Sequence, residues 1–162
     1  MPADAATLSA FGRRVYTETF GAANDPEDLR LYLEGAYTEA HQLAEIGDPA
    51  MDTLLLEHDG VLAAFAQLRP GTETGVDGPD PIELWRFYVD PAWHGRGAAA
   101  ALMDAAVDAA RARGARTLWL GVWEHNPRAQ AFYRKQGFVV VGEHTFMLGR
   151  DPQRDLIMAR AV

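Results

Sequence analysis

The stretch that decides the fold runs from Glu83 to Leu102 and reads ELWRFYVDPAWHGRGAAAAL. Its first seven residues are mostly apolar or aromatic, which predicts a strand that ends at Asp90-Pro91. The turn His94-Gly-Arg-Gly follows, and the alanine-rich run after it predicts a long helix that Gly114 ends. A strand, a glycine turn and a helix N-terminus together form an anion site, because free backbone N–H groups and the helix dipole face the same place. Taken alone, such a turn is as often a plain connection between two elements.

Each residue of this turn has a part in the anion-site interpretation. Gly95 and Gly97 let a phosphate approach the backbone, where a side chain would block it. Arg96 adds a direct positive charge. Ala98 and Ala99 keep the first turn of the helix small. The turn therefore predicts a phosphate-binding segment.

The chain before this stretch predicts three helices and a hairpin. Apolar residues recur at helical spacing in residues 3–20, and Asp25-Pro26 and Thr38 are each suited to cap the start of a further helix. Asp59-Gly60 joins two apolar runs, which is typical of a tight hairpin turn with positive φ. Residues 70–81 are rich in glycine, proline and aspartate and predict a loop.

The chain after this stretch alternates strand and helix. The predicted elements are a strand over residues 116–123, a helix from Asn126-Pro127 to Gly137, and closing strands over 138–148 and 155–161 joined by Gly149-Arg-Asp-Pro. The order of elements predicts a mixed α/β sandwich. With no internal repeat and no interdomain linker, residues 1–162 are predicted to form a single domain.

The composition excludes several kinds of chemistry. There is no cysteine, which excludes disulfides, zinc thiolates and a cysteine nucleophile. The only serine, Ser9, lies in a predicted surface helix, and the only lysine, Lys135, does not follow a glycine as a P-loop lysine does. The five histidines never recur at metal-ligand spacing. We therefore expect a reaction without a covalent Cys or Ser intermediate and without a metal.

The charge balance indicates the kind of partner. The net charge is −8, from 15 basic and 23 acidic side chains, which argues against nucleic acid. An acidic surface attracts cationic substrates, although it more often serves solubility alone. No apolar run approaches the roughly 18 residues of a membrane span, and the N-terminus lacks the pattern of a signal peptide. We therefore expect a cytoplasmic protein that does not bind a membrane.

Two segments carry a resemblance to a known family. The spacing from His94 through Gly97 to Ala99 resembles the coenzyme A pyrophosphate loop of the GCN5-related N-acetyltransferases (GNAT), with His94 at the place of a Gln or Arg. Residues 126–138, NPRAQAFYRKQGF, resemble the family's other signature segment almost throughout. The resemblance implies an enzyme that transfers the acetyl group of acetyl-CoA to an amine.

The resemblance also implies the fold. The family has a twisted, mixed and mostly antiparallel central sheet of six to seven strands, flanked by about four helices. Its members usually open with a short edge strand, whereas here the first predicted helix begins almost at Met1. Either that strand is absent or the start is placed late. Dimers are frequent in the family, so a homodimer is a further expectation.

Several stretches are similar to one branch in particular, the PaiA-type spermidine/spermine N-acetyltransferases. They are residues 17–20, 27–34, 119–124 (WLGVWE), 142–146 and 155–159. The branch implies a polyamine acceptor. The chain departs from it at Trp85, where PaiA-type proteins tend to carry a carboxylate. Another amine (an antibiotic, an amino acid or a protein N-terminus) and a non-catalytic acyl-CoA-binding module are the alternatives.

The resemblance assigns roles in catalysis and in cofactor binding. A bulge in the strand that contains Phe87 and Val89 lets pantetheine pair with exposed backbone, and the Val89 N–H polarises the acetyl carbonyl. Tyr133 protonates the leaving thiolate, and Asn126 caps its helix and helps to hold the cofactor. Glu83 is our candidate for the general base, acting through water, although a solvent-facing strand residue is an equal interpretation.

The other candidates concern the base and the acceptor. Glu124 and His125 are reserve candidates for the base, since they follow the strand that grips the cofactor. The acceptor pocket is expected between the two N-terminal helices and the last hairpin. Its candidate residues are Glu34, Glu39 and His41 for a cationic tail, and Trp85, Tyr88 and Trp123 for an aromatic wall.

Overall fold

Six strands form one sheet in the computed structural model, which describes residues 1–162 apart from the side chain of Pro2. They are β1 (Asp52–His58), β2 (Val61–Pro70), β3 (Pro81–Val89), β4 (Thr117–Trp123), β5 (Val139–Leu148) and β6 (Asp151–Ala161). The strand order is β1-β2-β3-β4-β6-β5, and only the pair β3 and β4 is parallel. The predicted mixed, mostly antiparallel sheet is confirmed. No strand precedes the first helix in the described residues.

Five α-helices flank the sheet within the described chain, one more than the resemblance implied. They are α1 (Ala5–Phe20), α2 (Pro26–Ala36), α3 (Glu39–Gly47), α4 (Ala98–Ala112) and α5 (Pro127–Lys135). The predicted caps are confirmed, because the side chains of Asp25, Thr38 and Asn126 each accept a backbone N–H from the first turn of their helix.

The apolar core lies on both faces of the sheet. On one face, Leu102 and Met103 of α4 and Tyr133 of α5 pack against the central strands. On the other face, Leu8 and Phe11 of α1 pack against further strand residues. Burying a large apolar side chain contributes about 1.5–3 kcal/mol, so these two clusters hold the helical layers on the sheet.

Strands β3 and β4 pair over a short length and then separate. Their registered pairs end at Glu83 and Trp119. Trp85 is the extra residue of a bulge in β3, because Gln67 of β2 faces Arg86 while the next β2 residue faces Leu84. A gap therefore opens along the C-terminal half of β3, as the resemblance implied.

The two hairpins differ in how closely they follow the predictions. Asp59 (φ 50°) and Gly60 (φ 76°) form the tight turn between β1 and β2, as predicted. The last turn was predicted over residues 149–152 with a strand from Asp155, which is wrong, because β6 begins at Asp151. Pro152 has no N–H to donate to a neighbouring strand. It is tolerated in β6 because β4 pairs with β6 only from Asp155 onward, so no hydrogen bond to β4 is required at Pro152.

Candidate active site

A cavity of about 570 Å³ runs through the gap between β3 and β4. Because the strands separate here, the cavity is lined from both faces of the sheet. Gly97 and Tyr133 line it on the side of α4 and α5. Tyr16, His144 and Asp155 line it on the side of the N-terminal helices. One end can thus hold a donor and the other an acceptor.

The glycine turn before α4 presents open backbone to the cavity. Gly95 (φ 73°) and Gly97 (φ 84°) have left-handed backbone conformations, and a Cβ atom at either would meet no atom within 4 Å. Gly97 is the N-cap of α4, so the first N–H groups of the helix have no partner within it. This arrangement fits the pyrophosphate of coenzyme A.

Not every residue of this turn reaches the cavity. His94, Gly95, Gly97 and Ala99 line it. Ala98 is buried, and Arg96 holds its guanidinium 5.7 Å from the ring centroid of Trp93.

The ring of His94 contacts the backbone at the end of β3. Its Nε2 lies 3.2 Å from the carbonyl oxygen of Val89. The side chain is thereby directed back to the end of β3.

The backbone of β3 faces the gap at Val89. The Asp90 N–H donates to the Ala63 carbonyl at 2.9 Å, on the side of β2. Since successive strand residues direct their N–H groups to opposite sides, the N–H of Val89 faces the gap, as does that of Phe87 two residues earlier. Both residues line the cavity.

Tyr133 and Asn126 come to the cavity from α5. The Asn126 side chain accepts the Ala129 N–H at 3.1 Å, which starts the helix at Pro127. Tyr133 is buried beside Phe87, with ring centroids 6.1 Å apart. Burial raises the pKa of the Tyr133 phenol above its ordinary value, so the phenol keeps its proton at neutral pH.

Glu83 is buried, so the interpretation of a solvent-facing residue is wrong. Its carboxylate accepts a hydrogen bond from Nε of Arg69 at 2.5 Å. Burial raises the pKa of Glu83, and the ion pair with Arg69 partly opposes that change. The Arg69 guanidinium also lies 3.3 Å from the ring centroid of Trp85, which lines the cavity.

The structure brings Trp123 to the cavity but leaves Glu34 outside it. Trp123 lines the cavity and packs edge-on against Phe20, with ring centroids 6.0 Å apart. The Glu34 side chain is 52% exposed and pairs with Arg30 at 2.6 Å. The expected role of Glu34 in the acceptor site is therefore not supported, because α2 directs this side chain into solvent.

The remaining candidates from the sequence divide in the same way. Tyr88 lines the cavity, whereas Glu39 and His41 are exposed residues of α3 outside its lining. Glu124 pairs with Arg154 at 3.1 Å. His125 is an exposed residue against the edge of Trp123, and neither it nor Glu124 lines the cavity.

Two residues that line the cavity, His144 and Asp155, belong to the PaiA-like stretches 142–146 and 155–159 and were not among the candidates from the sequence. They face each other across β5 and β6, with His144 Nε2 3.8 Å from Asp155 Oδ2. Burial, partly offset by His144, raises the pKa of Asp155 to about 6. His144 Nδ1 lies 3.0 Å from Oε2 of Glu73 in the loop before β3. No local pattern joins residues 73, 144 and 155, so only the strand register reveals the group.

Comparison with known proteins agrees with this geometry. The model of the acetyltransferase (GNAT) family matches residues 13–138. An uncharacterized N-acetyltransferase of Mycobacterium tuberculosis is 36% identical over 157 residues, which cover 97% of each chain. Another, from Lactobacillus delbrueckii subsp. lactis, is 34% identical over 155 residues (94% of this chain and 89% of the relative).

Solved structures share the fold. The PaiA N-acetyltransferase of Thermoplasma acidophilum, in complex with coenzyme A, superimposes with a TM-score of 0.83 at 21% identity, covering 100% of this chain and 95% of that one. The chain belongs to the GNAT acetyltransferase family. It is an N-acetyltransferase that uses acetyl-CoA as its donor.

The described residues contain no group of three or more His, Asp or Glu side chains that could hold a metal ion. Nor is any helix among them long and apolar enough to cross a bilayer.

Proposed function

We propose that this enzyme acetylates a primary amine of a small cationic acceptor, with a polyamine such as spermidine or spermine as the first candidate. The observation that carries the proposal is the acidic character of the acceptor end of the cavity. Glu83 and Asp155 line this end, and Glu73 lies beside it against His144. Arg69 is the cation paired with Glu83, so negative charge exceeds positive charge among these groups.

Aromatic side chains surround the same end. Tyr16, Tyr32 and Trp123 line the cavity, and the rings of Tyr16 and Tyr32 lie 4.7 Å apart. Aromatic faces attract ammonium groups, and their apolar surface suits the methylene segments between the nitrogens of a polyamine. A neutral acceptor would leave the buried carboxylate of Asp155 without the cationic partner that Glu83 has in Arg69, which is unfavourable.

The donor end supports direct transfer from acetyl-CoA to the bound amine. The N–H of Val89 faces the gap, where it can donate to the acetyl oxygen as negative charge develops there. Tyr133 keeps its proton at neutral pH and can supply it to the leaving thiolate. The sequence contains no cysteine to carry an acetyl group, so attack within a ternary complex is the simple route.

The test is coenzyme A thiol release from acetyl-CoA with a panel of amines that includes spermidine, spermine, aminoglycosides, free amino acids and an N-terminal alanine peptide. We expect turnover with polyamines, and a fall in kcat of about 10²-fold in Tyr133→Phe at unchanged affinity for acetyl-CoA. Turnover confined to the amino acids or the peptide would overturn the cationic acceptor class. A Tyr133→Phe enzyme with the wild-type kcat would overturn the assignment of the acid.

A further inference from the structure

We propose that His144 is the general base that takes the proton from the acceptor's ammonium group, with Asp155 as a second ligand of that group and Glu73 as the residue that positions the imidazole. This inference rests on the proposed function, because it requires an amine that arrives protonated. A lysine-like amine has a pKa near ~10.4, so at neutral pH nearly all of it must lose a proton before it can attack.

The contacts of His144 determine which ring nitrogen is free. Nδ1 lies 3.0 Å from Oε2 of Glu73, and Oε1 of Glu73 accepts the Thr74 N–H at 2.8 Å. The hydrogen bonds from Thr74 and His144 lower the pKa of Glu73, so at neutral pH its carboxylate only accepts hydrogen bonds. Nδ1 therefore carries the hydrogen of the neutral ring, and the lone pair of Nε2 is available.

Nε2 of His144 lies over a glycine that also lines the cavity. A Cβ atom built on Gly121 of β4 would lie 3.0 Å from His144 Nε2 and 3.4 Å from Asp155 Oδ2. The two acceptor atoms thus converge over a position that has no side chain. They are 3.8 Å apart, and an ammonium group with three N–H donors can donate to both. Gly121 itself lines the cavity beside the gap between β3 and β4.

The other titratable groups at this end explain why His144 is the better base. Glu83 approaches from β3, Arg69 from β2, and Tyr16 from α1. The guanidinium of Arg69 occupies a carboxylate oxygen of Glu83 at 2.5 Å, so a proton that moves to Glu83 must disrupt this ion pair. Nε2 of His144 has no such cation against it among the described residues, since its partner at 3.8 Å is the carboxylate of Asp155.

These groups account for every proton and electron pair that moves during acetyl transfer. The ammonium gives a proton to Nε2 of His144, and the nitrogen lone pair forms the C–N bond to the thioester carbon while the C=O π electrons move to oxygen. When the carbonyl reforms, the C–S bond breaks and the sulfur takes the proton of Tyr133. Tyr133 regains a proton from the new amide nitrogen. His144, whose side chain is 26% exposed, releases its proton to solvent.

The experiment compares rate–pH profiles from pH 6 to 9.5 for the wild type, His144→Asn and Glu73→Gln. The Asn side chain can still donate to Glu73 but has no basic nitrogen. We expect His144→Asn to lose about 10²-fold in kcat at pH 7 with an unchanged KM for acetyl-CoA. Its rate should rise about tenfold per pH unit from pH 7 to 9, as the fraction of free amine grows, and added imidazole should restore part of it.

Glu73→Gln tests the positioning role. We expect a smaller loss in kcat than in His144→Asn, because the Gln amide can also donate to Nδ1 and no longer fixes the hydrogen of the ring there, and we expect Glu73→Asp to recover part of the rate. A residue that only supports the loop would give similar kcat values in Glu73→Gln and Glu73→Asp. His58→Asn is the matched control, since His58 is 64% exposed beside the first hairpin turn, and we expect wild-type kinetics from it.

Three results decide the proposal. A His144→Asn enzyme with wild-type kcat and profile, and a loss in Glu83→Gln instead, would overturn it. If the wild type acetylates only amino acids or a peptide N-terminus, the proposed acceptor class fails, and the same His144 comparison is made with that amine, which is also largely protonated at pH 7. A loss of similar size there supports the base, and no loss overturns it. If His144→Asn does not fold, as judged by its Tm, His144→Gln replaces it.

Discussion

Asp155 shows how a single residue of the acceptor end reduces stability. Burial raises its pKa to about 6 from an ordinary value of 3.8. Between these values the folded chain binds a proton that the unfolded chain does not. Below pH 3.8, Asp155 is protonated in both states and does not lower the free energy of unfolding. As the pH rises through about 6, its carboxyl group ionises in the folded chain and the free energy of unfolding falls. A buried negative charge is thus held at neutral pH, at the end of the cavity where we propose that the cationic acceptor binds.

We predict that Asp155→Asn raises the free energy of unfolding by about 1–3 kcal/mol at pH 8, because it removes the buried charge. The gain should shrink towards zero at pH 4, and the KM for a polyamine should rise. Urea unfolding at the two pH values measures this. Asp108→Asn is the control, as its side chain is 78% exposed and should change stability by less than about 0.5 kcal/mol. Equal stability changes at both pH values would contradict the prediction.

At the scale of an element, helix α4 is bounded by two glycines with the same kind of backbone. Gly97 (φ 84°) precedes it and lines the cavity, whereas Gly114 (φ 79°) follows it outside the cavity lining. A Cβ atom would meet no atom within 4 Å at either position. Substitution by alanine therefore imposes a similar backbone cost at both ends and changes the donor site at only one.

We predict that Gly97→Ala and Gly114→Ala each lower the free energy of unfolding by about 1–2 kcal/mol, the cost of a left-handed L-residue. Only Gly97→Ala should also raise the KM for acetyl-CoA, by about tenfold or more, because the new methyl group stands where the pyrophosphate approaches. Thermal unfolding and initial rates at varied acetyl-CoA measure both quantities. An equal rise in KM in the two variants would show that strain in α4, and not access to its N-terminus, is responsible.

Across the whole molecule, a buried polar group ties α3 to the sheet. Arg86 of β3 is buried, and its guanidinium donates to Gln67 of β2 at 2.6 Å and pairs with Glu45 of α3. It also lies 4.9 Å from the ring centroid of Tyr37, in the segment between α2 and α3. Removal of one partner from a buried ion pair leaves the other charge uncompensated.

Glu45→Gln should therefore cost about 3–5 kcal/mol in the free energy of unfolding. Glu34→Gln breaks the exposed pair with Arg30 and should cost less than about 0.5 kcal/mol, which makes it the matched control. Guanidinium unfolding of the two variants tests the difference. Similar values for the two would mean that the buried pair does not hold α3 on the sheet.

Local patterns in the sequence determined most of the elements and the donor end of the site. The caps at Asp25 and Thr38, the turn at Asp59-Gly60 and the glycine turn before α4 involve neighbouring residues, so their physics is contained in short segments. The two signature segments brought Tyr133 and the glycine turn to one cavity as expected, because each is placed by its own strand and helix.

The acceptor end was decided only by the tertiary structure. Glu34 lies at helical spacing, where charged residues usually form a solvated face but can also meet a ligand, and the packing of α2 directed it to solvent. Gly121, His144 and Asp155 meet because β6 lies between β4 and β5 in a particular register, and Glu73 reaches His144 from the loop before β3. A shift of one residue in β5 or β6 would turn His144 or Asp155 to the other face of the sheet, and no short segment of sequence specifies that register.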